Sequence, residues 1–454
     1  MAHPATVPSP ESLYDTYVNP QWVRLLNLLQ MNVRYERCEG VELFAADGRR
    51  YLDFLSGYCV HNTGHNHPRI VKALQEELGR NGPAMLQSHV PELAGELAAA
   101  LCSRAGGRLS KVFFCSSGGE GIEAAIKFAR AHTGRSGLVS AHGAFHGLTC
   151  GALSLMDDPF WTERFGPLLP GVEFVPFGGL EDLRRKLASK TIAAFFVEPI
   201  QGEAGICVPP PDYLKEAQAL CRKYGTLFVH DEVQTGMYRT GTFLASHHFG
   251  VDPDMVVLAK ALSGGLIPSG AVLMSNAIYK SVFDSLKRAI VHTSTYSENG
   301  LAMRAGLATL QVLEEEDLGG RASKLGETLR GRLREALAGY EMVKEVRGVG
   351  LLNGIEFQTP SLLRLRLPFE AFMKIHPGMF GQVAVMRLFR DKGILTQMCG
   401  NNFMVLKAAP PLVVSETQID TYVRAARDTV DMMHGSASFW TEALGLARRA
   451  IGSI

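Results

Sequence analysis

Four short, mostly apolar runs restrict this chain more than anything else in it: KVFFC (111–115), AAFFV (193–197), TLFVH (226–230) and MVVLA (255–259). Apolar residues at consecutive strand positions must be covered on both faces, and a parallel sheet between helix layers does that. From about residue 67 to 330 such runs alternate with segments of helical periodicity, which predicts an α/β unit with a mostly parallel sheet. After about residue 335 the pattern becomes VKEVRGVGLLNGIEF, further helical stretches and NFMVLKAAPPL, which predicts a smaller α+β domain. The expected organisation is an N-terminal segment, 1–66, that contributes to the small domain, a large domain, 67–335, and a C-terminal small domain, 336–454. Within the first segment, residues 1–20 are expected to be extended, PQWVRLLNLLQM to begin a helix, and GVELFAADGRRYLDF to form a hairpin turning at Asp47-Gly48. The final SFWTEALGLARRAIGSI is expected to be a helix packed on its own protein.

Bulk properties remove several classes. A formal net charge of +1 does not suit phosphate-backbone binding, so no nucleic-acid partner is expected. The eight cysteines lack CxxC spacing and read as small buried residues of a reducing compartment. No apolar run reaches the length of about 18 residues that spans a bilayer, and the first twenty residues carry no basic-then-apolar leader pattern. A cytoplasmic chain with no transmembrane segment is expected. His61, His65 and His67 are too loosely spaced for a metal site, and none is expected.

Three of the apolar runs end on ionisable residues, Glu198, Asp231 and Lys260. Ligands of open α/β sheets bind outside the carboxyl ends of the strands, so these three should converge on one site. The run KVFFC continues as SSGGEGIEAAIKFAR, a Ser/Gly loop opening a helix, which offers main-chain N–H groups to an anion. It matches neither GxxxxGK[ST] nor GxGxxG. In HGAFHGLT, Phe145 can present a ring to a flat ligand. Pyridoxal phosphate asks for all of these together: a lysine for a Schiff base, a carboxylate at the pyridine nitrogen, a phosphate cup and an aromatic face.

The segment FVHDEVQTGMYRTGTFLASHHFGVDPDMVVLAKALSGG resembles the signature of class III aminotransferases, the ornithine, acetylornithine and putrescine type. So do SSGGEGIEAAIKFAR, AFHG, VEPIQGEAG, YLDFLSGY, GHNHP and APPL, and the resemblance runs from about residue 40 to 430. It implies fold type I of the pyridoxal-phosphate transferases and a homodimer with shared active sites. Lys260 would be the Schiff-base lysine and proton shuttle, and Asp231 the partner of the pyridine nitrogen. Val233 and Phe145 would flank the ring, Gln234 would meet its phenolic oxygen, and Ser117, Gly118, Gly119 and His146 would complete the cofactor site. Thr295 of the neighbouring subunit would close the phosphate cup. Glu198 would act behind the cofactor, Glu203 as a gate, and Tyr58 on the substrate side.

This chain departs from the family in three places. Gly119 stands where a threonine is usual, Leu148 where ornithine and acetylornithine enzymes carry an arginine, and Lys407 where an arginine receives a keto-acid carboxylate. The reading that follows is an aminotransferase with a small-molecule amine donor and a carbonyl acceptor, its distinctive substrate a terminal amine or aldehyde of apolar character. The alternatives are an ornithine- or acetylornithine-type enzyme, and an aminomutase or decarboxylase of the same fold. The apolar segment 359–382 is expected to help line a tunnel for such a substrate.

Overall fold

The computed structural model describes residues 10–451 apart from 87, 376 and 436. At its centre lies a seven-stranded sheet. Its strands run, edge to edge, Lys111–Cys115, Gly270–Met274, Met255–Leu258, Leu227–Asp231, Ile192–Val197, Gly137–Ala141 and Val172–Val175. Gly270–Met274 is antiparallel to both neighbours, and the other adjacent pairs are parallel. Every residue of Ile192–Val197, Leu227–Asp231 and Met255–Leu258 is buried, as the unbroken apolar runs require. Each such Val, Leu or Phe side chain contributes about 1.5–3 kcal/mol on burial. The helix Gly118–Thr133 covers one face of the sheet with Ile122, Ala125, Ile126 and Ala129. The helix Tyr213–Tyr224 packs Leu214, Ala217 and Cys221 into the core on the opposite face, with Phe195 and Phe228.

Two smaller sheets complete the molecule. Val343–Val349, Leu352–Phe357, Asn402–Ala408 and the short Met398–Cys399 form an antiparallel sheet. The hairpin Glu42–Ala45/Arg50–Asp53 turns at Gly48, which sits at φ +84°. Its second strand pairs in parallel with Ile394–Leu395, so residues from both ends of the chain share one sheet.

The N-terminus differs from the expected extended chain, of which residues 1–9 lie outside the described residues. Pro10–Tyr17 is a helix, followed by Pro20–Leu28. Proline at a first helical position needs no N–H partner and sets φ for the turn, so it starts both helices instead of preventing them. In the 359–382 segment, Leu363–Ile375 is helical and Phe380 opens the next helix. Phe369, Phe372 and Phe380 pack together, and Phe380 stacks on Trp440 of the helix Ala437–Ile451. Among the described residues no helix is long and apolar enough to cross a membrane.

Candidate active site

A cavity of about 440 Å³ opens at the carboxyl ends of the central strands. Glu198, Asp231 and Lys260 converge on it because Ile192–Val197, Leu227–Asp231 and Met255–Leu258 are adjacent in the sheet. Lys260 stands at φ +46°, a conformation that non-glycine residues avoid and that recurs at functional sites. The small residues after it have a steric reason. A Cβ on Gly264 would lie 2.6 Å from the Ile70 side chain, and one on Gly265 would lie 2.5 Å from the His61 ring.

Asp231 is held on both oxygens. Its Oδ2 lies 2.8 Å from His146 Nδ1, and its Oδ1 accepts the Val233 N–H at 3.0 Å. Burial acts to lower the His146 pKa, but the hydrogen bond and charge of Asp231, with Glu198 adding, outweigh it and raise the value. The His146 ring therefore stands behind Asp231, bonded to its Oδ2. Glu198 accepts the Phe145 N–H at 3.0 Å and the Gly202 N–H at 3.1 Å. Burial pushes it up to about 7, with His146 opposing and Asp231 adding.

The helix Gly118–Thr133 begins in a reciprocal cap. Ser117 Oγ accepts the Glu120 N–H at 3.2 Å, and Glu120 Oε2 accepts the Ser116 N–H at 2.6 Å. That leaves the first-turn amides of Gly118 and Gly119 at the cavity wall, positioned for an anion. A Cβ on Gly118 would lie 3.0 and 3.1 Å from the Val233 methyls, and one on Gly119 3.2 Å from Thr149 Cγ2. A side chain at 119 would thus crowd Thr149, which would have to give by a few tenths of an ångström. These residues fit pyridoxal phosphate: a lysine, a carboxylate backed by the His146 ring, a cup of amides that side chains would crowd, and Val233 and Phe145 for the ring.

Farther along the cavity, Glu203 and Lys407 form an ion pair, with Lys407 only 1% exposed. Burial would raise Glu203, but the charge and hydrogen bond of Lys407 hold it below its ordinary value. Burial would lower Lys407, but Glu203 holds it above. Both are charged. Glu203 Oε2 also accepts the Gly400 N–H at 2.7 Å, and Gln234 Nε2 lies 3.4 Å from Oε1. The Lys407 ammonium lies 4.9 Å from the centre of the Tyr58 ring. Tyr58 belongs to a left-handed turn, with φ +48°, +59°, +60° and +68° at Ser56, Gly57, Tyr58 and Cys59. Each non-glycine residue there costs about 1–2 kcal/mol.

Ser117, Gly118, Gly119, Phe145, His146, Glu198, Glu203, Asp231, Val233, Gln234 and Lys260 all line this cavity. Lys407 adjoins it through Glu203, and Tyr58 through Lys407. Leu148 corrects an expectation: it is 58% exposed and is not among the lining residues, while its neighbours Gly147 and Thr149 pack against Gly119. Nor do the described residues of the 359–382 segment line it, since its aromatic side chains fill the core beside Trp440. Thr295 lines a second cavity of about 650 Å³, with Leu86, His89, Ala289 and His292. Leu86, Val90, Leu286, Ile290 and Tyr296, on the segments around it, are exposed.

Sequence reasoning missed Asn401. Its main-chain N–H donates to the Glu203 carbonyl at 3.0 Å, and its amide nitrogen donates to the Gly143 and Ala144 carbonyls at 2.9 and 3.4 Å. Its oxygen accepts the Trp161 indole N–H at 2.7 Å, and the Trp161 ring meets Phe145 edge-on at 5.2 Å. The only sequence signal is the turn-forming CGNNF between two apolar runs; nothing marks Trp161.

A family model for class III aminotransferases matches residues 27–430. The aminotransferase PigE of a Serratia species is 36% identical over 92% of this chain, which covers 53% of that relative, so the chain spans about half its length. A putrescine aminotransferase from Pectobacterium atrosepticum is 36% identical over 94% of this chain and 89% of the relative. The ornithine aminotransferase of Toxoplasma gondii, a structure with pyridoxal phosphate at partial occupancy in its active site, superposes with a TM-score of 0.80. It is 28% identical, covering 94% of this chain and 99% of that one.

Proposed function

The chain belongs to the class III aminotransferases, a family that works with pyridoxal phosphate, and on that premise we propose that it moves an amino group between an amine donor and a carbonyl acceptor, with a terminal amine and aldehyde of apolar character as its distinctive pair. One observation carries the substrate reading. Lys260 is the only lysine or arginine among the described residues that line the cavity, and the nearby Lys407 is buried and committed to Glu203. Neither offers the two-pronged carboxylate contact that an arginine makes. The relative named for putrescine supports a donor without a carboxylate.

Pyridoxal phosphate supplies an aldehyde for covalent attachment and a ring that takes up electron density from the substrate carbon. The chain's own residues do the rest. Lys260 anchors the cofactor at rest, and its freed Nζ takes a proton from the substrate carbon and returns it. Asp231 would keep the ring nitrogen protonated, with the bond from His146 to its Oδ2 fixing the carboxylate's orientation. The Gly118 and Gly119 amides hold the phosphate, and Val233 and Phe145 hold the ring. Gln234 meets the phenolic oxygen. Glu198 pins the Phe145 main chain to Gly202 from below.

The same reading includes a homodimer in which Thr295 of a second copy completes the phosphate cup. The exposed Leu86, Val90, Leu286, Ile290 and Tyr296 around the second cavity support it, because a patch of that kind favours burial against another chain. It also includes the division into 1–66, 67–335 and 336–454, and a cytoplasmic site of action.

A panel of donors, followed by the absorbance change of the bound cofactor, tests the substrate class. Apolar primary amines should convert it faster than ornithine or acetylornithine. Faster conversion by either amino acid would overturn the apolar reading and leave the amino-acid alternative.

A further inference from the structure

The segment that begins at Asp231 and carries Val233 and Gln234 along the cavity ends in Arg239, a guanidinium that the proposed chemistry does not use. Arg239 is 0% exposed. Its acceptors are four uncharged oxygens: Nη1 donates to the carbonyls of Leu351 at 3.1 Å and Pro410 at 2.5 Å, and Nη2 to Ser56 Oγ at 3.1 Å and Asn62 Oδ1 at 2.5 Å. A buried cation bonded only to neutral oxygens destabilises a fold, so packing alone would favour an apolar residue here. An apolar residue could not supply the fork.

Ser56 and Asn62 bracket the left-handed turn that carries Tyr58. Asp53 Oδ1 accepts the N–H groups of Leu55 at 2.8 Å and Ser56 at 2.7 Å, which fixes the entry. Ser56 Oγ donates to the Ala409 carbonyl at 2.8 Å, two residues beyond Lys407. Asn62 Nδ2 donates to the Met237 carbonyl at 2.8 Å, which fixes the exit. Ser56, Tyr58 and Cys59 are non-glycine residues at positive φ within one short turn, and such a cluster persists only where the surroundings over-determine it. Here the surroundings are Asp53, Arg239 and the strand that bears Lys407.

We propose that Arg239 is a positioning residue for substrate discrimination: its fork pins both ends of the left-handed turn, holds the Tyr58 ring over Lys407, and so sets the width of the substrate side of the cavity. The inference rests on the transaminase reading of that cavity. It links the segment that holds the cofactor to the residue that faces the substrate.

A double-mutant cycle on the holoenzyme tests it, with hexylamine and putrescine as donors. Arg239→Lys and Tyr58→Ala should each raise the donor KM on the order of tenfold, with cofactor content per chain unchanged. The double variant should be no worse than the poorer single one, because both changes remove the same contact. Multiplying factors, or a loss of cofactor in step with activity, would overturn the proposal. If Arg239→Lys does not fold, Ser56→Ala takes its place in the cycle, with a rise of about threefold expected and the same criterion. If the wild type converts its bound cofactor with no amine at all, the proposed function itself fails, and this inference with it.

Discussion

Glu198, Asp231 and Lys260 stand at the ends of three neighbouring strands, whereas Tyr58, Trp161, Glu203, Asn401 and Lys407 come from segments spread along almost the whole chain. The first group is placed by the sheet itself. Hydrogen-bonded register sets where each strand ends, and nearby main-chain N–H groups hold the carboxylates. The second group is placed by side chains gripping one another across the junction of the central and smaller sheets. A region built on strand ends keeps its chemistry as long as the sheet forms. A region built on mutual grips depends on each of them, and the pairing of Lys407 with Glu203 is one.

The largest expected effect lies on the cofactor side. Lys260→Ala should lower amine turnover on the order of a thousandfold or more. Borohydride should then no longer fix the cofactor to the chain, as read by mass spectrometry. Turnover near the wild-type rate would remove the contrast between the two sides.

On the substrate side, the sharpest break is Glu203→Gln, which leaves the buried Lys407 ammonium without its anion. A cost of about 3–5 kcal/mol is expected in urea unfolding, mostly recovered in the double variant Glu203→Gln, Lys407→Met. A single-variant cost below about 1 kcal/mol would mean that the pair is not held as tightly as its geometry implies. Folding lowers the Glu203 pKa from 4.5, so its contribution is present above that value and lost as pH falls through the folded one. Folding raises the Lys407 pKa from 10.5, so its contribution is present below that value and lost as pH rises through the folded one. The gap between wild type and variant should therefore be flat from roughly pH 6 to 9.

Glu198 titrates in the opposite sense. Its pKa rises from 4.5 to about 7, so between those values the native state binds a proton that the unfolded chain has released. Its contribution to stability falls as pH rises through that window. Relative to wild type, Glu198→Gln should be more stable at pH 8 than at pH 5, by thermal melting in matched buffers. An unchanged difference would show that Glu198 does not titrate in that window. The smallest effect is expected from Trp161→Phe, which keeps an aromatic ring but loses the indole donor to Asn401. About 1 kcal/mol, or roughly fivefold in the donor KM, should be lost, with cofactor content unchanged.

The cofactor side was legible because its signals are local. An apolar run ending in a charged residue marks a strand end, and SSGGEG before an amphipathic run marks a helix N-terminus. Gly119 was legible as a departure, but its reason was not, since Thr149 comes from a different segment. Leu148 was expected at the cavity wall and lies outside it, because its neighbours Gly147 and Thr149 take the places against Gly119. Asn401 and Trp161 carry no local pattern, and Arg239 sits in the quoted signature without any neighbour that marks its role. Each acts through partners far away in the chain, and spacing along a sequence does not encode such pairs.

The residues alone establish the sheet, the lysine with its carboxylate, and the class of cofactor, because periodicity and strand ends follow from backbone geometry that every segment shares. Which side chains pair beside the cavity, and that Lys407 is committed to Glu203, depended on the folded molecule. Those answers rest on distances of a few ångströms between segments that meet only when the smaller sheets dock on the central one.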